Sequence, residues 1–246
     1  MLSKSQISFI KSLHQKKYRK ESGFFIIEGI KSITEFINSP YGIHSIYYTS
    51  QFFDLLPKNN PNIRLFEATH AELTKISALQ TPQGILAIVH LPTEQKIDIK
   101  SLSNCFSLVL DDIQDPGNLG TIIRTADWFG IDQIVCSPVT VEWFNPKVIQ
   151  ATMGAFIRVK VFYTELGAFL KTVRQPVVAA DLQGSTIYDH QFANPSVILM
   201  GSESHGIPEE LSTYITDRLT IPSFGETESL NVAIATGIFC YALRSR

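Results

Sequence analysis

The feature that most constrains the fold is an alternation of short apolar segments with helical segments in the second part of the chain. Strands are predicted at residues 106–110, 133–136, 157–162, 177–180, 197–200 and 219–221. Apolar strands alternating with helices favour a parallel sheet that is covered by helices on both faces. In such sheets ligands bind beyond the carboxyl ends of the strands. The sequence therefore predicts an α/β domain over residues 105–246 with a site at that edge.

The first 92 residues have shorter units and predict a separate, small α/β domain. A basic helix is expected over 4–20 and a further helix over 71–76, with strands at 24–27, 43–49, 63–66 and 84–90. Residues 93–104 are polar and lack a strong periodicity, so they are the expected linker between residues 1–92 and 105–246.

Composition narrows the class of protein. With 246 residues, 44% of them hydrophobic and 18% charged, the chain has enough material for two modest globular domains. No apolar run is long enough to cross a bilayer, and the start of the chain lacks the apolar core of a signal peptide. Cys105, Cys136 and Cys240 are far apart, which favours buried reduced thiols in a cytoplasmic protein without a metal site.

Charge is distributed unevenly along the chain. Residues 1–100 carry 12 basic and 8 acidic side chains, whereas the remainder carries 9 and 15. The basic residues are densest before the first acid, and the expected RNA contacts among them are Lys16, Lys17, Arg19 and Lys20. A solvated helix face is the ordinary alternative for such a run.

Three loops at the ends of predicted strands carry the candidate site residues. The first, residues 111–120, is glycine-rich and leads into a helix with Arg124 among apolar neighbours; an ordinary strand-to-helix turn with an exposed arginine is the alternative. The second, 201–208, is a small-residue turn with one carboxylate, Glu203, and a solvated glycine turn is its alternative.

The third loop, residues 221–231, precedes a helix predicted over 233–243 that is apolar nearly all round. Ser229 and Asn231 are both suitable N-cap residues for that helix, and an ordinary capped core helix is the alternative. Together the loops offer an arginine, amides, a carboxylate and exposed backbone groups, but no Ser–His–acid set, no Cys–His pair and no metal ligands. Such a site suits methyl transfer from a sulfonium, because the electrophile arrives activated.

The three loops together resemble the motifs of the SpoU (TrmH) family of RNA 2′-O-ribose methyltransferases. The matching segments are Asp115-Pro-Gly-Asn118-Leu-Gly120 with Arg124-Thr-Ala, Gly201-Ser-Glu203 with Gly206, and Ile221-Pro222 with Ser229-Leu-Asn-Val232. Their order and spacing match over residues 105–244. Residues 16–29 and 81–85 resemble the small L30e-like substrate-binding domain that often precedes this catalytic domain.

The resemblance implies a SPOUT-type α/β domain with a C-terminal trefoil knot, S-adenosyl-L-methionine (AdoMet) as cofactor, and a homodimer. The residues expected to line the cofactor are Met200, Gly201, Gly206, Ile221, Pro222 and Leu230. Asn118, Arg124 and Glu203 are expected on the acceptor side, and Ser229 and Asn231 should order the loop beneath the cofactor. The family also implies an RNA substrate, and the accessory domain favours ribosomal over transfer RNA by analogy.

Two other classes of function stay open at this point. One is a non-catalytic RNA-binding adaptor that keeps the fold, which a cofactor-binding titration would distinguish. The other is a nicotinamide-dependent oxidoreductase, which the sequence disfavours because the first strand-to-helix turn lacks GxGxxG and the strand at 133–136 ends in Cys-Ser-Pro rather than an acid.

Overall fold

The computed structural model of the protein describes residues 1–57, 60–92, 97, 105–188 and 190–245. It contains two compact units, one formed by residues 1–94 and 144–157 and the other by 95–143 and 158–246. The expected linker, 93–104, lies outside the described residues except for Ile97. The second unit differs from the expected domain at 105–246 because segment 144–157 groups with the first unit.

The first unit is built on a four-stranded mixed sheet. Its elements up to residue 92 are α1 (Lys4–Ser12), α2 (Lys16–Ser22), β1 (Phe24–Glu28), α3 (Ile30–Ile37), β2 (Ile43–Tyr48), a 3₁₀ turn (Ser50–Leu55), β3 (Arg64–Glu67), α4 (His70–Ile76) and β4 (Ile85–His90). The strand order is β1-β4-β2-β3, with β4 antiparallel to both neighbours and β3 parallel to β2. Ile10, Leu13 and Ile76 are fully buried in the core beneath one face of this sheet. Burial of each such side chain contributes roughly 1.5–3 kcal/mol.

The expected single helix over 4–20 is two helices. Ser3 and Gln6 form a capping box at the start of α1, which ends at Leu13, and α2 then starts after Gln15. Arg19 is only 1% exposed, and its Nη1 donates to the carbonyl oxygen of Leu13 at 2.8 Å. The prediction that Arg19 contacts RNA is therefore wrong, because its guanidinium is buried and donates its hydrogen bond to the backbone at the break between the helices.

The second unit contains a six-stranded, all-parallel sheet. The elements from residue 105 onward are β5 (Ser107–Leu110), α5 (Pro116–Trp128), β6 (Gln133–Cys136), α6 (Pro146–Thr152), β7 (Lys160–Tyr163), α7 (Leu166–Leu170), β8 (Val177–Thr186), β9 (Val197–Met200), β10 (Asp217–Thr220) and α8 (Val232–Arg244), with 3₁₀ turns at Ala155–Ile157 and Glu209–Tyr214. Of these, α6 and the first 3₁₀ turn belong to the first unit. The strand order is β10-β8-β9-β5-β6-β7.

The predicted parallel α/β architecture of the second unit is thus confirmed. Helices α5 and α8 pack against each other, and α8 also contacts β9. The inner strands β5, β6 and β9 are buried along their whole length, as expected for a sheet covered on both faces. Within the described residues, no helix is both long and apolar enough to cross a membrane.

Candidate active site

Three adjacent parallel strands end at one edge of the second sheet and open on a cavity of about 740 Å³. The walls are the segments that continue or follow β8, β9 and β10, closed by the first turns of α8. This volume falls in the range of ordinary small-molecule sites, roughly 300–1,000 Å³. The position agrees with the rule that ligands bind beyond the carboxyl ends of parallel strands.

All six residues predicted to line the cofactor lie in the wall of this cavity. They are Met200, Gly201, Gly206, Ile221, Pro222 and Leu230. The loop after β9 folds back tightly, since Ser202 N donates to Gly206 O at 3.1 Å and Gly206 N donates to Ser202 O at 3.0 Å. A Cβ on Gly201 would lie 2.3 Å from the carbonyl carbon of Gly206, so only glycine fits there.

The cavity has acidic character. Asp181, Glu203 and Glu228 contribute to its wall, and among the described residues that line it there is no lysine or arginine. The pKa of Asp181 is lowered, first by the backbone N–H of Gln183 and then by the hydrogen bond and charge of Arg218. Asp181 is therefore ionised at neutral pH, but Arg218 compensates its charge, so the carboxylates of Glu203 and Glu228 give the cavity its preference for a positively charged ligand.

A hydrogen-bonded group of three polar side chains lies where the cavity meets the starts of α5 and α8. Asn118 Nδ2 donates to Glu203 Oε1 at 2.7 Å, and Asn231 Nδ2 donates to Asn118 Oδ1 at 2.9 Å. A second contact joins Asn231 Nδ2 to the same Glu203 oxygen at 3.3 Å. Glu203 belongs both to this group and to the cavity wall, so it couples the two.

Local capping explains why these residues meet. Asp115 caps α5 by accepting a hydrogen bond from the backbone N–H of Asn118 at 2.9 Å, with Pro116 as the first helical residue. Asn231 caps α8 by accepting from the backbone N–H groups of Ala233 and Ile234. Of the two N-cap candidates in the sequence, the structure thus selects Asn231. The Glu203 carboxylate lies at the positive end of α8, where a negative charge is stabilised.

Two predicted site residues are not part of this group. Arg124 is exposed on α5, while its neighbours Ile122, Ile123 and Ala126 are fully buried. Among the residues that the structure describes, Arg124 forms no hydrogen bond or ion pair. Ser229 lines the cavity but is exposed and makes no hydrogen bond to the described part of the chain. The prediction that Ser229 orders its loop is therefore not supported by any contact.

The wall that β8 provides was not predicted from the sequence. The predicted strand ended at Ala180, whereas β8 continues to Thr186 and residues 180–183 line the cavity. The rule that placed the other loops at the carboxyl edge applies equally to β8, and it would have identified Asp181 and Gln183. On α8, Val232, Ala235 and Phe239 complete the floor of the cavity.

The cysteines lack the properties of nucleophiles. Cys136 and Cys240 are buried, and burial raises the pKa of both thiols, that of Cys240 to about 12. Burial also raises the pKa of Cys105, which is partly buried rather than fully buried as expected. All three cysteines are free thiols that stay protonated at neutral pH.

Residues 105–241 match the SpoU rRNA Methylase family, and residues 4–87 match the MRM3-like substrate binding domain. The first match covers more than half of the chain, in the unit that contains the cavity. The chain belongs to the SpoU rRNA methylase family. This membership excludes the alternative that the chain is a nicotinamide-dependent oxidoreductase.

Three relatives of this SpoU family member each match at least 95% of its length. It is 31% identical to the 23S rRNA (guanosine(2553)-2'-O)-methyltransferase RlmP of Bacillus subtilis over 95% of the chain and 94% of that protein. A Porphyromonas gingivalis structure assigned to the TrmH family of RNA methyltransferases is 37% identical, with a TM-score of 0.89 over 100% of this chain and 99% of that one. An AdoMet-bound rRNA methyltransferase from Sinorhizobium meliloti is 29% identical, also with a TM-score of 0.89, over 100% and 96%.

Proposed function

We propose that this protein is an AdoMet-dependent methyltransferase that methylates a ribose 2′-hydroxyl in ribosomal RNA. The observation that carries the proposal is the position of Glu203, which lines the cavity and accepts hydrogen bonds from Asn118 and Asn231. Glu203 thus links the small-molecule site directly to the polar side chains at the starts of α5 and α8. The Bacillus subtilis relative is named as a 23S rRNA 2'-O-methyltransferase, which favours ribosomal RNA.

The cavity fits AdoMet in both charge and surface. AdoMet supplies an activated methyl group on a positively charged sulfur, and the carboxylates of Glu203 and Glu228 favour a cation. Apolar walls from Leu219, Ile221 and other residues suit the adenine ring. Met200, Gly201, Gly206, Ile221, Pro222 and Leu230 would hold the cofactor, mainly through backbone groups that the tight loops fix in place.

The hydrogen-bonded side chains of Asn118, Glu203 and Asn231 would position the methyl acceptor, which is the ribose 2′-hydroxyl. Asn118 and Glu203 hold each other at hydrogen-bonding distance, so their orientation is set before RNA arrives. We assign Arg124 the task of engaging the ribose 2′-oxygen and a neighbouring phosphate. An arginine holds its proton too firmly to act as a simple base, so its contribution is orientation and charge stabilisation. The hydroxyl proton would leave to a phosphate or to water.

The trefoil knot is part of the same proposal. In the sheet, β10 is an edge strand beside β8, and α8 then returns to pack on α5 and β9. The cavity is formed by the segments at the ends of β8, β9 and β10, and we propose that the chain is threaded here, as the resemblance to the SpoU (TrmH) motifs implies. A knot would keep these loops together without a ligand.

The proposed assembly is a homodimer that forms through α8. Ile234, Ile238 and Tyr241 follow helical spacing along one face, and Ile234 and Tyr241 are 57% and 65% exposed. Trp128, at the end of α5, is 85% exposed. Covering these side chains with a second copy would remove apolar surface from water. We expect Tyr241→Glu to convert a dimer to a monomer in sedimentation velocity, and a wild-type monomer would contradict the proposal.

The proposed location is the cytoplasm, where free thiols such as Cys136 and Cys240 stay reduced. The RNA-contacting surface would include Lys16, Lys17 and Lys20 of α2, which are all exposed. A transfer RNA substrate is the alternative within the family, and a non-catalytic adaptor is the alternative outside it.

Transfer of labelled methyl groups from AdoMet tests the function directly. Purified protein should label large-subunit ribosomal RNA from a strain that lacks the gene, but not RNA from the parent strain. A ribose-methylation map of the two strains should then differ at the modified nucleotide. Labelling of transfer RNA alone would show that the substrate is transfer RNA and not ribosomal RNA. AdoMet binding without any methyl transfer would favour a non-catalytic RNA-binding adaptor.

A further inference from the structure

A cluster of rings lies at one end of the four-stranded sheet of the first unit, which is not the unit that contains the candidate active site. Phe24 begins β1 and is paired directly with His90, which ends β4. The ring centroids are 4.7 Å apart for Phe24 and His90 and 4.9 Å apart for Phe24 and His44. Phe9 of α1 meets Phe24 edge-on at 6.0 Å. We call Phe9, Phe24, His44 and His90 the ring cluster.

The ring cluster is open to solvent. His90 is exposed, Phe9 is 36% exposed, and Phe24 and His44 are half-buried. By contrast Tyr47, further along β2, is only 3% exposed and belongs to the core. Phe24 packs against the core that contains Tyr47, so the ring cluster lies at the border between this core and solvent, with its rings partly exposed.

A β-bulge brings His44 into the cluster. The register of β2 against β4 shifts between Ile43 and Ser45, so His44 has no paired residue on β4. Both flanking residues are buried, at 6% and 0% exposed. A bulge changes the direction in which a side chain projects, and here it places an imidazole beside Phe24 and His90.

Positively charged side chains lie on β3, close to His44, and on α2, which precedes Phe24 in the chain and in which Lys17 pairs with Glu21. Burial, together with the charges of Arg64 and His90, lowers the pKa of His44, so that ring is neutral at physiological pH. Arg64 itself is exposed on β3. Helix α2, with its exposed Lys16, Lys17 and Lys20, leads through Gly23 directly into Phe24.

We propose that the ring cluster binds an unpaired nucleobase of the RNA substrate by stacking, with Arg64 and the α2 lysines on the flanking phosphates. Unpaired bases are recognised by stacking on aromatic and histidine rings, whereas paired bases do not expose their faces. A single-stranded nucleotide offers both a base face that can stack on the partly exposed rings and a phosphate that can pair with the nearby cations. The identity of the ligand as RNA rests on the proposed function.

The full-length protein tests this proposal in fluorescence anisotropy with labelled single-stranded RNA of about ten nucleotides and random sequence, and with a duplex of equal length. The variant His44→Ala/His90→Ala should bind the single strand about tenfold more weakly, since each stacked base accounts for a loss of this order. Its affinity for the duplex should be unchanged. His44→Phe/His90→Phe should restore single-strand binding, because a phenyl ring also stacks.

Two exposed side chains elsewhere in the first unit, His70 and Phe53, provide matched controls. His70→Ala and Phe53→Ala should leave both affinities at the wild-type level. Wild-type single-strand affinity in the double alanine variant would overturn the proposal, and so would an equal loss for strand and duplex. A double alanine variant that instead loses self-association in sedimentation would assign the ring cluster to a protein contact.

AdoMet binding separates this proposal from the proposed function. The ring variants should bind AdoMet as the wild type does, because the cavity lies in the other unit. If the wild type binds neither AdoMet nor RNA, the proposed function fails. If it binds both and the ring variants keep full single-strand affinity, only the ring cluster proposal fails.

Discussion

At the scale of single residues, Arg124 and Arg19 show how differently two arginines of this chain are used. Arg19 is buried and bonded to the backbone, whereas Arg124 is exposed and forms no hydrogen bond to the described residues. Arg124→Ala should reduce methyl transfer by about 100- to 1,000-fold, since it removes an electrostatic stabiliser. Arg124→Lys should also fail if the planar guanidinium is required.

Single-turnover transfer and AdoMet calorimetry measure the two effects of these variants separately. AdoMet affinity should stay close to the wild-type value in both. Arg174→Ala is the control, because Arg174 is exposed and precedes β8 at the opposite edge of the sheet. Unchanged turnover in Arg124→Ala would exclude the assigned role.

Glu72 predicts a pH dependence of stability in the first unit. Its carboxylate accepts from the backbone N–H groups of Thr69 and Leu2, and these bonds lower its pKa from 4.5 to about 2. A lowered folded-state pKa means that the stabilisation is present above about pH 4.5 and is lost as the pH falls through about 2. Glu72→Gln should therefore lower the Tm at neutral pH, and the difference from wild type should shrink across this window.

Thermal unfolding followed by circular dichroism at several pH values measures that difference. Glu67→Gln is the control, because Glu67 is exposed at the end of β3 and should show little difference at any pH. A Tm difference for Glu72→Gln that does not vary between neutral and acidic pH would contradict the assignment.

Several of the residues that line the cavity could be predicted from the sequence, but the hydrogen bonds between the site residues could not. Met200, Gly201 and Ile221 were identified through the resemblance of their loops to the SpoU (TrmH) motifs, and all three line the cavity. The hydrogen bond between Asn118 and Glu203 joins residues 85 positions apart, and no local pattern encodes it. Burial of Arg19 likewise depends on the helix break at Leu13. The basic residues between 4 and 20 gave no sign of this break and predicted a single helix.

At the scale of elements, strands were located better than helix ends. Strands β6 and β9 have the predicted bounds, because short and mainly apolar runs mark buried parallel strands. Helix α5 starts at Pro116, inside the segment predicted as a loop, since Asp115 caps it there. Strand β8 is longer than predicted because Ser185 and Thr186 at its end also pair with β10, and its second half is mostly polar and exposed.

The loop after β9 predicts that a single methyl group should damage the cavity. Gly201→Ala would place a Cβ 2.3 Å from backbone atoms of Gly206, so the loop must move. Calorimetry should show a loss of AdoMet affinity of at least about tenfold, roughly 1.4 kcal/mol. Gly167→Ala on α7 is the control, since its Cβ meets only Leu211 at 4.0 Å. Equal affinity in the two variants would show that the loop does not form the cofactor site.

At the scale of the whole molecule, the first unit contains a segment that the sequence assigned elsewhere. Residues 144–157 pack with the first unit, where Phe144 approaches Phe25 and Phe156 approaches Phe36 at 6.4 and 4.7 Å between ring centroids. Periodicity could not show this, because the contacts are distant in sequence. Deletion of the first domain would expose these rings, so charge variants of the full chain are the better test of RNA binding.

The lysines of α2 predict a change in the salt dependence of RNA binding. Lys16→Gln/Lys17→Gln/Lys20→Gln should reduce the slope of log affinity against log salt by about 0.7 for each lost phosphate contact, or roughly 2 in total. Anisotropy with ribosomal RNA between low and physiological salt measures this slope. Lys75→Gln, which removes an exposed charge from α4, is the control. A slope equal to that of the wild type would place the RNA-contacting surface elsewhere.

The central claim is that AdoMet binds where the segments at the ends of β8, β9 and β10 meet. Crystals of the full-length protein grown with AdoMet test this claim most directly. The cofactor should lie in the cavity between Gly201, Ile221 and Leu230, with its sulfur facing the Asn118–Glu203 pair. Density for AdoMet at any other place, or a cavity that stays empty at saturating AdoMet, would contradict the account.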